Sequence, residues 1–244
     1  MAGNWKMYKT AAETTAFFEK FAPLVEKSGH ADVVICPTFV NIPVAVAATA
    51  GTRIEIGGQN LYWKKEGAFT GEISGPMLKA VGARWVIIGH SERRQYFGET
   101  DATVLQRTVA ALEAGLNPIV CVGERLEERE SGNTENVLRT QFEGGLAGLP
   151  AEQFAQVTIA YEPVWAIGTG KTATPEIAAD AHKFIRALVA AKFGAEQAAN
   201  TRILYGGSVK PDNVRSLMAQ PDIDGSLVGG ASLEAVSFSS IVNF

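Results

Sequence analysis

The amino-acid sequence predicts an α/β fold in which eight parallel strands close into a single (β/α)8 barrel. Short β-branched runs alternate with longer helical patterns, and this alternation is typical of a parallel sheet with helical crossovers. Eight such units in 244 residues match the size of a closed barrel. The alternative is an open doubly wound sheet, which prefers a glycine-rich turn after its first strand. The segment found there, Asn4-Trp5-Lys6-Met7, contains no glycine and so favours the barrel.

The predicted strands are the short apolar runs between the helical patterns. Only Met1 and Ala2 precede the first polar motif, so we expect the first strand to be short. No linker rich in proline, serine or charge divides the chain, so residues 1–244 are expected to form one domain. In chain order the predicted strands are Ala2–Lys6, Val33–Pro37, Ile54–Gly57, Trp85–His90, Pro118–Gly123, Thr158–Glu162, Arg202–Gly207 and Gly225–Gly230.

Three helices are predicted from apolar faces that repeat with the helical period. The first is expected to stop at Gly29, the second spans Asp101–Ala114, and the third, Ile177–Phe193, follows Pro175 and precedes Gly194. The inward residues are Phe17, Phe18, Phe21, Leu24 and Val25 in the first helix, and Val104, Leu105, Thr108, Val109 and Leu112 in the second.

The charge balance gives no reason to expect nucleic acid or membrane as a partner. The 22 Lys and Arg against 26 Asp and Glu leave a net charge of −4, which offers no long-range attraction to polyanions. An anionic substrate must therefore be held by local donors. No apolar stretch approaches the ~20 residues that cross a bilayer, and the start of the chain is too charged for a signal peptide. A soluble cytoplasmic protein is expected.

The two cysteines, Cys36 and Cys121, each end an apolar stretch. Such cysteines are usually small buried core residues, and two of them do not suggest a disulfide framework. A reducing compartment is the simpler expectation.

Polar residues and glycine pairs end several predicted strands, where barrel enzymes carry their chemistry. A cation, an imidazole, a carboxylate and freed peptide N–H groups on one rim suit a phosphorylated substrate that loses a proton. Taken singly, each has a structural alternative: a solvated lysine, a turn-forming asparagine, a core histidine or a tight turn. The set comprises Asn4, Lys6, His90, Glu162, Gly206-Gly207-Ser208 and Gly229-Gly230.

Glu162 is the sharpest of these signals. It directly follows an apolar strand and precedes Pro163, so desolvation at a buried rim is expected to strengthen it as a base. The alternative is a structural ion pair, with Lys6 as a candidate partner. The segment from Pro163 to Ala173 has an apolar, glycine-containing tip and is predicted to be a lid, with an ordinary loop as the alternative.

A metal site is not expected. The chain has three histidines, and neither His30 nor His182 is near His90 in sequence. No paired histidine or cysteine spacing typical of a metal site occurs, so no metal or other cofactor is predicted. His30 and His182 are interpreted as structural or solvated.

Five segments together resemble the signatures of the triosephosphate isomerase family, and the resemblance runs along the whole chain in the same order. The segment around Glu162 is the most specific. The resemblance implies a TIM barrel that interconverts dihydroxyacetone phosphate and D-glyceraldehyde 3-phosphate through an enediolate, in glycolysis and gluconeogenesis, without a cofactor. The segments are Gly3–Met7, Gly89–Arg94, Ala160–Lys171, Tyr205–Val209 and Leu227–Leu233.

The resemblance also implies a role for each matching residue. Glu162 is then the base, and His90 the neutral group that moves protons between the two oxygens, its pKa lowered by the helix that starts at Ser91. Lys6 and Asn4 face the substrate oxygens. The implied phosphate donors are Gly168, Ser208, Gly229 and Gly230, and the implied supporting residues are Ser91, Glu92 and Cys121.

The long segment from Gln59 to Gly71 carries three aromatic residues, and an exposed apolar loop suggests a partner surface. It resembles the family's interlocking loop, whose Thr70 position reaches Asn4 and Lys6 of the neighbouring subunit. A homodimer is therefore predicted, with a loop packed on itself as the alternative.

Two other functions stay open at this point. One is another phosphate-binding barrel enzyme, such as a lyase or an isomerase of a larger sugar phosphate, although the Ile167-Gly168 lid favours a small substrate. The other is a catalytically silent barrel with a binding or assembly role, against which the joint presence of Asn4, Lys6, His90 and Glu162 speaks.

Overall fold

The strands form a closed parallel barrel in which each strand pairs with the next along the chain. The computed structural model describes residues 1–167 and 172–244. The ring closes where Ala2 pairs with Leu227 and Gly3 with Val228, so the predicted barrel is confirmed. Its strands are β1 Ala2–Asn4, β2 Val33–Cys36, β3 Ile54–Gly58, β4 Trp85–Ile88, β5 Asn117–Val122, β6 Thr158–Tyr161, β7 Ile203–Tyr205 and β8 Gly225–Val228.

Helices connect successive strands and cover the outside of the barrel. Short 3-10 helices lie at Phe39–Asn41, Val164–Ala166 and Gly230–Leu233. The α-helices are α1 Ala11–Val25, α2 Ile42–Ala48, α3 Gly75–Ala80, α4 Ser91–Phe97, α5 Asp101–Glu113, α6 Leu126–Glu130, α7 Thr134–Gly145, α8 Ala151–Phe154, α9 Pro175–Phe193, α10 Ala195–Asn200, α11 Val214–Met218 and α12 Ala235–Val242.

The three helices predicted from sequence are present, with corrected ends. Helix α1 begins with a capping box in which Thr10 and Glu13 bond to each other's backbone N–H, and it ends at Val25, before Gly29. Helix α9 starts at Pro175, two residues earlier than predicted, because proline suits the first turn. The prediction that Leu24 points inward is wrong: it is 44% exposed, since it lies at the edge of the apolar stripe.

The barrel interior is filled by small and branched side chains, and a larger layer of apolar residues packs between strands and helices. Both cysteines are buried and free, as expected. His182 is also buried, which lowers its pKa to about 4, and its ring bonds to the Asp222 carbonyl, so the structural interpretation is supported. The interior residues are Ala2, Val34, Cys36, Ile87, Ile119, Cys121, Ala160, Leu204 and Leu227.

Seven of the eight observed strands end earlier than predicted, and β3 ends one residue later, at Gly58. Lys6, His90 and Glu162 each lie just beyond a strand, not within it. Gly89 adopts a left-handed φ of 68° and ends the extended run of β4, and Lys6 has a φ of 50°. The polar residues therefore lie on the loops at one rim of the barrel, where their side chains can turn inward.

Candidate active site

A cavity of about 360 Å³ opens at the carboxyl end of the barrel. The structure brings most of the sequence-predicted site residues to its walls. Gly168, implied as a phosphate donor, lies outside the described residues. The predicted residues that line the cavity are Asn4, Lys6, His90, Glu162, Gly206, Gly207, Ser208, Gly229 and Gly230.

Glu162 lies directly after β6 and is 2% exposed. Its Oε1 is 2.8 Å from Nε2 of His90, and its Oε2 accepts the backbone N–H of Ser91 at 2.9 Å. Burial alone would raise the pKa of Glu162, but the bonds to His90, Ser91 and the Cys121 thiol lower it below its ordinary value. The expectation that desolvation strengthens this base is therefore wrong for the free site, because those partners stabilise the carboxylate.

His90 caps the start of α4. Its Nδ1 accepts the backbone N–H of Glu92 at 3.2 Å, so Nδ1 carries no proton and Nε2–H is the donor to Glu162. Burial lowers the pKa of His90, but the Glu162 carboxylate outweighs burial and raises that pKa above its ordinary value. The predicted lowering by the helix is thus wrong while Glu162 stays in contact. The bond to Nδ1 nevertheless favours the neutral ring in this arrangement.

Lys6 pairs with Glu92, not with Glu162. The Lys6 Nζ is 2.5 Å from Oε1 of Glu92, so the alternative ion pair between Lys6 and Glu162 is wrong. The Lys6 N–H donates to Oδ1 of Asn4 at 3.0 Å. This bond fixes the turn that carries both side chains to the cavity.

Gln59, directly after β3, holds the same turn from the far side of β2. Its Nε2 donates to the carbonyl of Lys6 at 2.7 Å and to that of Cys36 at 2.9 Å. Sequence analysis placed Gln59 only at the start of a partner loop. A positional signal existed, because Gln59 lies two residues after the end of a predicted strand, where barrel enzymes carry their polar site residues.

The far end of the cavity is formed by backbone without bulky side chains. A Cβ on Gly229 would lie 3.5 Å from Cε of Lys6, and one on Gly230 would meet no atom within 4 Å. The backbone there is open to a ligand, and Ser208 lies on the same cavity wall. The glycine pair therefore leaves room for an anion beside the Lys6 stem.

Two glycines pack directly against Glu162. A Cβ on Gly206 would lie 2.8 Å from Cγ of Glu162, and a Cβ on Gly123 would overlap the Glu162 carbonyl. Neither position can carry a larger side chain without moving the backbone or side chain of Glu162. The sequence marks Gly206 as part of a glycine pair, whereas Gly123 gave no signal beyond ending a strand.

A buried carboxylate anchors the beginning of the predicted lid. Glu124 is fully buried, and its Oε1 accepts the hydroxyl of Tyr161 at 3.1 Å and the indole N–H of Trp165 at 2.9 Å. The guanidinium of Arg129 is 3.3 Å from the same oxygen. Burial and the Glu124 charge raise the pKa of Tyr161 well above its ordinary value, so its hydroxyl stays a donor. Sequence analysis did not identify Glu124.

Thr70 lies away from this chain's own cavity, on an exposed segment. The aromatic residues of the loop contact one another: the rings of Tyr62 and Trp63 stack at 4.0 Å, and those of Tyr62 and Phe69 lie 4.5 Å apart. The loop is thus partly packed on itself, while its tip at Thr70 remains accessible.

Residues 1–167 and 172–244 contain no group of three or more His, Cys, Asp or Glu side chains placed to hold a metal ion. Over the same residues, no helix has both the length and the apolar character that a membrane span requires.

Comparison with known proteins gives matches along the entire chain. A family profile described as "Triosephosphate isomerase" matches residues 1–244. The triosephosphate isomerase of Solibacter usitatus is 70% identical over all 244 residues and 98% of its own length. That of Citrifermentans bemidjiense is 57% identical over 244 residues and 97% of its length. The crystal structure of triosephosphate isomerase from Bartonella henselae matches with a TM-score of 0.89 and 42% identity, covering 99% of this chain and 96% of that one.

Proposed function

Because the chain belongs to the triosephosphate isomerase family, we propose that its rim cavity holds a triose phosphate between Glu162 and Lys6. The reaction is the glycolytic interconversion of dihydroxyacetone phosphate and D-glyceraldehyde 3-phosphate. It moves a proton between two adjacent carbons and shifts the carbonyl group from one to the other. What is proposed is how the residues of this chain divide that work.

Glu162 acts as the base that removes the proton from one carbon and returns it to the next. The observation that carries this assignment is the buried Glu162 carboxylate, ionised and 2.8 Å from His90 on the wall of the cavity. An ionised carboxylate can accept a proton, and a positioned base contributes about 10²–10⁴ in rate. Substrate that enters between Glu162 and His90 takes over the contact they now share.

His90, Lys6 and Asn4 stabilise the negative charge that develops on the substrate oxygens. The Nε2–H of His90 is a neutral donor that can give its proton to one oxygen and recover it from the other. Lys6 supplies a fixed positive charge and Asn4 lies beside it. Each such donor contributes roughly 10²–10³ in rate, so the base does not act alone.

The phosphate binds at the other end of the cavity, on backbone N–H groups of Ser208, Gly229 and Gly230. The open backbone at Gly230 and the nearby Lys6 stem support this placement. Peptide N–H groups freed by glycine approach phosphate oxygens directly. The likeness to the family adds Gly168 to this set, and Ser91, Glu92 and Cys121 as supporting residues.

A homodimer is part of the proposal. Large exposed apolar side chains concentrate on the segments that follow β1 to β4, which are adjacent around the barrel. Met7 is 91% exposed, Val40 81% and Tyr96 69%. Large exposed apolar side chains that cluster on adjacent segments suggest a protein interface. In the dimer the Thr70 tip meets the partner near its Asn4 and Lys6. The apolar side chains are Met7, Tyr8, Val40, Phe69, Met77, Val81, Tyr96 and Phe97.

We place the enzyme in the cytoplasm, as one barrel domain over residues 1–244. Glycolysis is a cytoplasmic pathway in bacteria, and the two buried free cysteines suit a reducing compartment. Strands from both ends of the chain complete the same ring, which supports a single domain.

The test is steady-state interconversion of the two triose phosphates by the wild type and by Glu162→Gln, which keeps the volume and removes the base. We expect kcat of the variant to fall by roughly 10²–10⁴. Wild-type turnover in a folded Glu162→Gln protein would overturn the assignment of the base.

A further inference from the structure

Gln141, a half-buried residue of α7, makes two hydrogen bonds to one peptide segment beside the base. Its Oε1 accepts the N–H of Gly123 at 2.7 Å, and its Nε2 donates to the carbonyl of the same residue at 3.1 Å. The amide therefore holds Gly123 from both sides. Helix α7 is itself fixed to the core by Leu138 and Phe142, which are buried.

The strand pairing explains why Gly123 needs a partner from outside the sheet. Between β5 and the chain after β6, the N–H of Glu162 donates to Val122 and that of Val164 donates to Glu124, at 2.8 and 3.0 Å. The N–H and C=O groups of Gly123 lie between these two bonds and point away from the chain after β6. The Gln141 amide supplies a partner for both of these backbone groups.

Gly123 is in direct contact with the base. The space that a Cβ on Gly123 would need is occupied by the Glu162 carbonyl, so the two backbones touch. A shift of Gly123 therefore shifts Glu162. Gln141 is not among the residues that line the rim cavity, but lines a second cavity of about 390 Å³ together with Cys121 and Glu162.

We propose that Gln141 is a positioning residue for the isomerase reaction, which fixes the backbone of Glu162 through Gly123. This inference rests on the proposed role of Glu162 as the base. The reaction slows roughly 10²-fold when the base is misplaced by about 1 Å. Gln141 holds Gly123, which contacts the base, so its loss is expected to lower kcat. The phosphate end of the cavity is far from Gln141 in the ring of strands, so substrate binding is affected little.

The experiment is a double-variant cycle with Gln141→Met and Glu162→Gln, measured as kcat and KM on dihydroxyacetone phosphate. Methionine keeps the length of the side chain and removes both hydrogen bonds. We expect Gln141→Met to lower kcat roughly 10- to 100-fold, with KM within about twofold. In the Glu162→Gln background the same change should alter kcat by less than about twofold, because the group it positions is already disabled.

Thr140→Val is the matched control. It removes a side-chain hydrogen bond to Asn136 on the same helix, one residue away, without touching Gly123. Its kcat should stay near that of the wild type. If Gln141→Met does not fold, Gln141→Glu serves instead, because it keeps an acceptor for the Gly123 N–H and loses the donor to its carbonyl.

The outcomes separate the two proposals. Wild-type kcat in folded Gln141→Met, with Glu162→Gln impaired, would overturn the positioning role alone. An equal loss from Gln141→Met in both backgrounds would also overturn it, since that pattern indicates damage independent of Glu162. Normal turnover in Glu162→Gln would overturn the proposed function and this inference with it.

Discussion

At the scale of single residues, the site depends on a buried carboxylate and an imidazole that set each other's protonation. Glu162 is ionised because His90, Ser91 and Cys121 donate to it despite burial. Position along the chain was enough to identify Glu162 and His90 as candidates, since both end apolar strands. The direction of their pKa shifts was predicted wrongly, because the contact between the two side chains is made across the barrel and leaves no trace in sequence spacing.

Removing His90 should move the acid limb of the pH profile. The ring is the main partner that lowers the pKa of Glu162, while burial pushes that pKa up. In His90→Gln the opposing effect of burial dominates, so the pKa of Glu162 rises. The protonated carboxyl is inactive, so kcat/KM of the variant should decline at a higher pH than in the wild type. A fall in kcat of roughly 10²–10³ should accompany the shift.

The profile is measured as kcat/KM from pH 4 to 8, where it reports the free enzyme's base. His30→Gln is the control, because His30 is exposed and bonds to the Val242 carbonyl far from the site. An acid limb in His90→Gln that stays in place or moves to lower pH would contradict the assigned interaction.

At the scale of elements, the sequence predicted all eight strands, and the structure shortened most of them at their carboxyl ends. Apolar runs predict a strand well because both faces of a barrel strand are buried. Apolar runs predict the last residue of a strand poorly. Whether Glu162 continues the strand hydrogen bonding depends on the backbone of the neighbouring strands. The roles of Gly123, Glu124 and Gln141 were missed for the same reason: each acts on a residue that is distant in sequence.

The close packing of β7 on the base predicts the effect of one methyl group. In Gly206→Ala the new Cβ would lie 2.8 Å from Cγ of Glu162 and 3.1 Å from the Tyr161 carbonyl, so the carboxylate must move. We expect kcat to fall roughly 10- to 100-fold, because the rate depends steeply on the position of the Glu162 carboxylate. The protein should remain folded.

The control for Gly206→Ala is Gly29→Ala, where the added Cβ would meet only Nη1 of Arg53 at 3.5 Å. Steady-state kinetics and thermal unfolding of both variants decide the matter. If Gly206→Ala turned over like the wild type, Glu162 would not be held as tightly by β7 as the structure indicates.

At the scale of the whole molecule, the barrel carries its exposed apolar residues unevenly. Most of the large ones follow the first four strands, whereas Val236 and Phe244 follow β8. Composition predicted the Thr70 loop as a partner surface. The sequence alone could not predict that Tyr62, Trp63 and Phe69 stack on one another, because this stacking depends on how the loop folds back.

The dimer proposal predicts a particle of twice the 26.0 kDa chain mass in sedimentation velocity. Thr70→Arg places a bulky charge at the loop tip and should shift the protein toward monomer. Its kcat should fall, because the tip would no longer support the partner's site. Val236→Arg adds the same charge at a residue of α12 that is 71% exposed and should remain dimeric and active. A wild type that sediments as a monomer would contradict the proposal.

The central claim is that Glu162 carries a proton between adjacent carbons through an enediolate, and isomerisation in D2O tests it most directly. While the proton is on the carboxyl group it can exchange with solvent, so product formed by the wild type should carry deuterium on the carbon next to the carbonyl. Glu162→Gln should lose turnover and deuterium incorporation together. Product free of solvent deuterium at normal rates would contradict the account, because it would show no stage at which the transferred hydrogen can exchange with solvent.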